Sequence, residues 1–81
     1  MFARQSYVVY EMIQVPGDLY KEIVGCEFSL ENAIEACRRH TETHGRFGEY
    51  EVYTGRKRVW VGHHSINEFS REDCLVAGRR Y

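Results

Sequence analysis

The sequence has few of the residues that would place it in a specialised class of protein. It contains one proline and three cysteines. Three cysteines without paired spacing argue against a disulfide-stabilised scaffold and predict reduced thiols. The first residues lack an apolar leader, and no run of residues approaches the length that spans a bilayer. We therefore expect a cytoplasmic protein with no membrane partner.

Excess charge of either sign is also missing. Eleven basic and twelve acidic residues give a formal net charge of −1. No field of the whole molecule therefore draws the chain to nucleic acid or to a membrane. The hydrophobic share of 43% and the charged share of 28% are typical of a globular protein. At 81 residues the chain can form a single core. We expect one domain over residues 1–81.

The segment from Ser29 to Gly45 carries the clearest signal of secondary structure. Its apolar and small residues recur at spacings of three, four and seven, which is the period of one helical face. Ser29 is a suitable N-cap, and Gly45 is suited to the left-handed position after the last turn. The apolar face is narrow, so this helix must pack on a sheet to be stable.

Two strands are predicted before this helix. Tyr7 to Ile13 is rich in β-branched and aromatic residues, and Val15 to Asp18 is a turn signal. Leu19 to Phe28 fits either a strand with a bulge near Gly25 or a two-turn helix that stops there. We favour the strand because it forms a hairpin with the first strand and leads directly into the helix.

Two more strands are predicted after the helix. Glu49 to Tyr53 alternates cleanly, and a short loop joins it to Arg58 to His63. The expected fold is therefore α+β: an antiparallel four-stranded sheet in ββαββ order, with one helix on one face and a short C-terminal tail. The tail, residues 65–81, is expected to be either a short helix opened by a capping box at Ser70 to Asp73 or an edge strand at Leu75 to Ala77, followed by a frayed end.

A single helix covers only one face of such a sheet. The other face is expected to be rich in aromatic residues and to form an interface. The candidate interface residues are Tyr7, Tyr10, Tyr53 and Trp60. The leading functional hypothesis is a small, non-catalytic protein-interaction module of a bacterial or phage type. Its expected partner is another protein or a second copy, and a homodimer is predicted.

An alternative hypothesis is nucleic-acid binding through the hairpin at residues 54–60. Its basic residues are Arg56, Lys57 and Arg58. Tyr53 and Trp60 lie beside them, and cations with interleaved aromatic rings can grip phosphate and stack on bases. The competing interpretation is a solvated hairpin whose cations pair with the glutamates of the adjacent strand.

A second alternative is a small zinc-binding domain. Cys37, His40 and His44 share one arc of the predicted helix, and His63 could supply a fourth ligand from a strand. The paired cysteines of a zinc finger are absent, so a buried cysteine with two histidines at the helix rim is the competing interpretation. No catalytic motif occurs and a chain of this size has little room for a pocket, so we expect neither an enzyme nor a cofactor.

Overall fold

The computed structural model describes residues 5–44, 48–66 and 74–81. Its elements, in chain order, are β1 (Tyr7–Val15), β2 (Asp18–Glu27), α1 (Leu30–His44), β3 (Gly48–Thr54), β4 (Lys57–Ile66) and β5 (Cys74–Arg80). The strands form one antiparallel sheet in the spatial order β2-β1-β3-β4-β5, and α1 packs across it. The predicted α+β class is confirmed, and the predicted order ββαββ holds for the elements up to β4.

The sheet has five strands, so the prediction of four was wrong. β5 pairs with β4 from Cys74 to Arg80, and the backbone N–H of Tyr81 donates to the carbonyl of Val59 at 3.0 Å. The described residues 74–80 of the tail therefore form an edge strand, which continues to Arg80 where a frayed end was expected. The capping box predicted at 70–73 lies outside the described residues. Local pattern under-predicted β5 because its pairing with β4 is a long-range interaction.

The first hairpin follows the favoured interpretation of residues 19–28. Gly17 sits in the turn at φ 84°, a conformation that side chains with a Cβ rarely adopt. In the ladder Val9 faces Gly25 and Tyr10 faces Ile23, so Val24 is the extra residue of a bulge. The predicted strand with a bulge near Gly25 is confirmed, and the two-turn helix is wrong.

Helix α1 begins where the capping argument placed it. The Ser29 hydroxyl accepts a hydrogen bond from the backbone N–H of Asn32 at 3.1 Å, which satisfies one unpaired donor of the first turn. The helix ends at His44, and Gly45 lies outside the described residues. On the outer side, Arg38 forms ion pairs with Glu35 and Glu42, which suits a solvated helix face.

The core lies between α1 and one face of the sheet. Its buried members are Val9, Ala33, Cys37, Tyr50, Val52 and Trp60. Fully burying a medium-sized apolar side chain contributes about 1.5–3 kcal/mol, so these few contacts support much of a small fold. At Gly25 the helix and β1 come close to β2, and an added Cβ would meet Ala36 and Val9 at 3.9 Å, an ordinary contact distance.

The opposite face of the sheet is the one that α1 does not touch, and we call it the open face. Strand alternation, with the registers of the four strand pairs, assigns its residues. They include Val8, Tyr10, Met12, Lys21, Ile23, Glu51, Tyr53, Arg58, Val61 and Arg79. No element that the structure describes covers this face. Among the described helical residues, no stretch is long and apolar enough to cross a bilayer.

Candidate functional site: the open face and the β2 edge

The predicted interface residues divide between the two faces of the sheet. Tyr10 and Tyr53 lie on the open face, where their rings meet edge to face with centroids 5.4 Å apart. Trp60 is only 2% exposed and belongs to the core under α1, and Tyr7 packs against that same core. The structure therefore brings two of the four residues together and places the other two on the helix side.

Lys21 of β2 joins these tyrosines to a carboxylate. Its ammonium donates to the Tyr53 hydroxyl at 2.9 Å and lies 2.9 Å from Glu51 Oε1. It also lies 4.7 Å from the centre of the Tyr53 ring, within cation–π range. The hydrogen bond with Tyr53, followed by the one with Glu51, raises the pKa of Lys21.

Glu51 of β3 is shared by two cations on neighbouring strands. Arg58 Nη1 donates to Glu51 Oε2 at 3.0 Å, while Lys21 occupies the other carboxylate oxygen. Burial acts to raise the pKa of Glu51, but the hydrogen bonds from Lys21 and Arg58 outweigh it and the pKa is lowered. The pairing of a hairpin cation with a glutamate of the adjacent strand is confirmed.

The row of charges and rings continues to β5. The Arg58 guanidinium lies 5.0 Å from the centre of the Tyr81 ring, and that of Arg79 lies 5.6 Å from it. Tyr81 is 55% exposed. We call the whole row the cation–tyrosine track: Tyr10, Lys21, Glu51, Tyr53, Arg58, Arg79 and Tyr81. Three cations and one carboxylate give this track a formal charge of +2.

The basic hairpin contributes one residue to the track. Arg58 lies within it, whereas Arg56 and Lys57 are exposed at the turn, where Gly55 adopts a φ of 59°. The three basic residues therefore do not form a single phosphate-binding cluster at the tip of the hairpin. Arg56 and Lys57 instead lie beside the track, in the β3–β4 hairpin next to the paired Tyr53 and Arg58.

Of the four predicted zinc ligands, the structure brings together His40 and His44, whose ring centres are 4.1 Å apart, but not Cys37 and His63 with them. Cys37 is buried and its thiol donates to the carbonyl of Ala33 at 3.3 Å; burial raises its pKa to about 12, which disfavours the thiolate that binds metal. His63 is exposed on the open face, on the far side of the sheet from α1. Among the described residues, no three or more His, Cys, Asp or Glu side chains are arranged to hold a metal ion.

His40 takes part instead in a buried polar cluster. Its Nδ1 lies 3.0 Å from the Tyr50 hydroxyl and 3.4 Å from Glu11 Oε2, and the Thr41 hydroxyl lies 2.9 Å from that same Tyr50 oxygen. Glu11 is 3% exposed and Tyr50 is 1% exposed. The cluster ties α1 to β1 and β3.

A separate feature is the apolar surface along β2. The large hydrophobic side chains that are exposed among the described residues are Val15, Leu19, Tyr20, Ile23, Phe28 and Tyr81. All but Tyr81 lie between the end of β1 and the residue after β2. β2 is an outer strand of the sheet, and in the described part of the chain it pairs with β1 alone.

Sequence reasoning missed both Lys21 and the Arg79–Tyr81 end of the track. Because the sequence did not settle the bulge in residues 19–28, it could not predict which face of the sheet carries Lys21. Residues 79–81 were assigned to a frayed end. Comparisons with protein-family models, with curated proteins and with solved structures found no match. The function is therefore inferred from the geometry of this chain.

Proposed function

We propose that this chain is a small, non-catalytic interaction module that forms a homodimer by antiparallel pairing of β2 with β2 of a second copy. The supporting observation is the clustering of exposed apolar side chains along an outer strand of the sheet. Ile23 is 64% exposed and Leu19 is 57% exposed. A long apolar strand at a sheet edge is a template for pairing with another strand.

The pattern of side chains on β2 favours one register. Pairing about a two-fold axis perpendicular to the sheet keeps the open faces of both copies on the same side. When Lys21 lies opposite Lys21 of the second copy, Leu19 lies opposite Ile23 of that copy, and this occurs twice. Sliding one strand by two residues in either direction would place Leu19 or Ile23 opposite Lys21 of the second copy. In this register the paired segment, Leu19 to Ile23, also ends before the bulge at Val24.

A comparison of the energy gained by burial with the cost of association predicts a weak dimer. Burying four side chains of the size of leucine and isoleucine contributes at most about 6–12 kcal/mol, since full burial is worth about 1.5–3 kcal/mol each and these side chains are 57% and 64% exposed beforehand. Association costs about 4–15 kcal/mol in lost freedom of motion. The two terms are similar in size, so the backbone hydrogen bonds of the new ladder decide the balance. We expect dissociation in the micromolar range.

Charge argues for pairing by the edge over pairing by the open face. Two copies meeting face to face would bring two tracks of charge +2 against each other. Edge pairing leaves both tracks exposed on the same side of one continuous ten-stranded sheet. The central Lys21 side chains approach one another, but each is already paired with its own Glu51 at 2.9 Å.

Sedimentation velocity over a concentration series tests the dimer. The native protein should shift from monomer to dimer across the micromolar range. Ile23→Lys should keep the protein monomeric at the same concentrations, because it places a charge opposite Leu19 of the second copy. Ile23 is exposed, so the variant should retain the native circular dichroism spectrum.

Phe28→Lys is the matched control. Phe28 is 57% exposed, as Leu19 is, but it lies beyond the end of β2. Phe28→Lys removes an exposed apolar side chain and adds a positive charge, as Ile23→Lys does. We expect it to dimerise like the native protein. A native protein that stays monomeric at several hundred micromolar, or an Ile23→Lys variant that dimerises normally, would refute edge pairing.

A further inference from the structure

The open face offers both charges and aromatic rings in one continuous row. Across the four spacings between five strands, the track extends for about 19 Å, since neighbouring strands lie about 4.8 Å apart. Each of the five strands supplies at least one member of the track, and Tyr81 follows directly after β5. Lys21 is on β2, Tyr10 on β1, Tyr53 on β3, Arg58 on β4 and Arg79 on β5.

The track is held in place before any ligand binds. Glu51 accepts from Lys21 and from Arg58, and its side chain is only 13% exposed while those of the two cations are 41% and 44% exposed. The carboxylate thus holds the charged ends of both side chains in place, while each side chain remains partly exposed to solvent. Fixing long side chains in advance lowers the entropic cost of binding an anion.

The rings are presented beside these charges. Tyr53 is fixed through its hydroxyl by Lys21 at 2.9 Å and meets Tyr10 edge to face. Tyr81 is more than half exposed and lies near two guanidinium groups. Aromatic rings provide stacking surfaces for bases, and cations along the same row provide contacts for the backbone phosphates.

We infer that the cation–tyrosine track binds single-stranded nucleic acid. An acidic peptide would satisfy the cations but would leave the three tyrosine rings without stacking partners. A duplex keeps its bases stacked on each other, so it too would use only the charges. The site lies on the open face of the sheet, and Lys21 of β2 is the one member of the track that also lies in the proposed dimer interface.

Fluorescence anisotropy with a labelled oligothymidine of about 12 nucleotides tests this inference, since sites of this kind cover about 4–16 nucleotides. The full chain should bind the oligonucleotide at low salt. With three phosphate contacts, the affinity should fall by about 20-fold between 50 and 200 mM salt, because the logarithmic slope for single strands is about −0.7 per contact.

Two exposed residues of the track separate charge from stacking. Arg79→Gln should weaken binding by about fivefold to tenfold and should flatten the salt dependence by one contact. Tyr81→Ala should weaken binding by about tenfold through loss of a stacked base. Both residues are exposed at the end of the sheet, so folding should survive, as circular dichroism would check.

Arg39→Gln is the matched control for charge. Arg39 is exposed on α1, on the other side of the sheet, and its substitution should change affinity by no more than about twofold. Several results would overturn the inference: no binding at 50 mM salt, a duplex bound as tightly as the single strand, polyglutamate bound as tightly as the oligonucleotide, or unchanged affinity in Tyr81→Ala. The last two would mean a site for polyanions in general.

Discussion

Trp60 depends on the absence of a side chain at one position of the neighbouring strand. Its indole ring packs over Gly78 of β5, where an added Cβ would overlap the ring atoms. Trp60 is 2% exposed and pairs with Val52 on the adjacent strand, so the ring has little room to move aside. Gly78 is therefore a packing requirement of the core.

We predict that Gly78→Ala destabilises the fold by about 1–3 kcal/mol, the usual cost of overpacking a filled site. Urea denaturation followed by Trp60 fluorescence measures it. Gly25→Ala is the control, since its added methyl group would meet its nearest neighbours at 3.9 Å, an ordinary contact. That variant should stay within about 0.5 kcal/mol of the native protein. Equal stability of the two variants would show that Trp60 can turn away from β5.

At the scale of elements, α1 is attached to the sheet by polar as well as apolar contacts. The Tyr50 hydroxyl of β3 contacts both Thr41 and His40 of α1. Burial raises the pKa of Tyr50 from 10.0 to about 12, only partly opposed by the hydrogen bond with Thr41. Burial likewise raises the pKa of Cys37 from 9.0 to about 12. Both groups are therefore held neutral by folding.

This burial predicts a loss of stability in alkali. A group that is neutral when protonated, and whose folded pKa is raised, contributes its full stability below the unfolded pKa. That contribution disappears as the pH rises to the folded pKa. The free energy of unfolding should therefore decline between about pH 9 and pH 12. Urea midpoints measured at several pH values would show it.

Tyr50→Phe separates the tyrosine part of this effect. It should lower stability near pH 7 by about 1–2 kcal/mol, because it removes the hydroxyl that contacts the buried Thr41 side chain. It should also reduce the decline above pH 10. Tyr20→Phe makes the same chemical change at an exposed tyrosine and should follow the native curve. Identical alkaline curves for native protein and Tyr50→Phe would contradict this role.

Local pattern was enough to predict α1 and the two hairpins. The helix was readable because a period of 3.6, an N-cap at Ser29 and an apolar stripe all agreed. The bulge was readable because Gly25 interrupts the alternation in β2. The full length of β5 could not be predicted, because Arg79 and Arg80 have the sequence character of solvated residues. Their place in the sheet comes from pairing with β4, which is not a local signal. Strand order, which sets Lys21 near Glu51 across β1, left no local signal at all.

At the scale of the molecule, the two edges of the sheet differ. The β2 edge carries Leu19 and Ile23 on either side of Lys21, a cation already paired with Glu51, whereas the β5 edge ends in Arg79 and Arg80. Cations protect an edge strand from pairing with other chains, and exposed apolar residues invite it. The molecule measures 49 × 34 × 21 Å. An assembly through β2 would lengthen the sheet and leave its open face accessible.

The first hairpin also extends beyond the rest of the sheet. β1 pairs with β3 only from Val8 to Met12, while its pairing with β2 continues to Val15 opposite Asp18. A two-stranded ribbon is marginally stable in water without further packing. In the monomer, the backbone amides of Ile13 to Tyr20 should therefore exchange hydrogen faster than those of Val9 and Val52, which lie in the core.

Dimerisation through β2 would change this pattern at one edge only. Hydrogen exchange measured at low and high protein concentration should show added protection at Leu19 to Ile23, because amides that face away from β1 gain partners in the second copy. The amides of Arg79 and Arg80 on β5 should exchange at the same rate in both samples, since that edge remains unpaired in the proposed dimer. Protection that rises at β5 and not at β2 would place the interface on the opposite side of the sheet. Protection that rises equally at Val8, Tyr53 and Val61 would indicate pairing through the open face, and would also mean that the dimer competes with a nucleic-acid strand for the cation–tyrosine track.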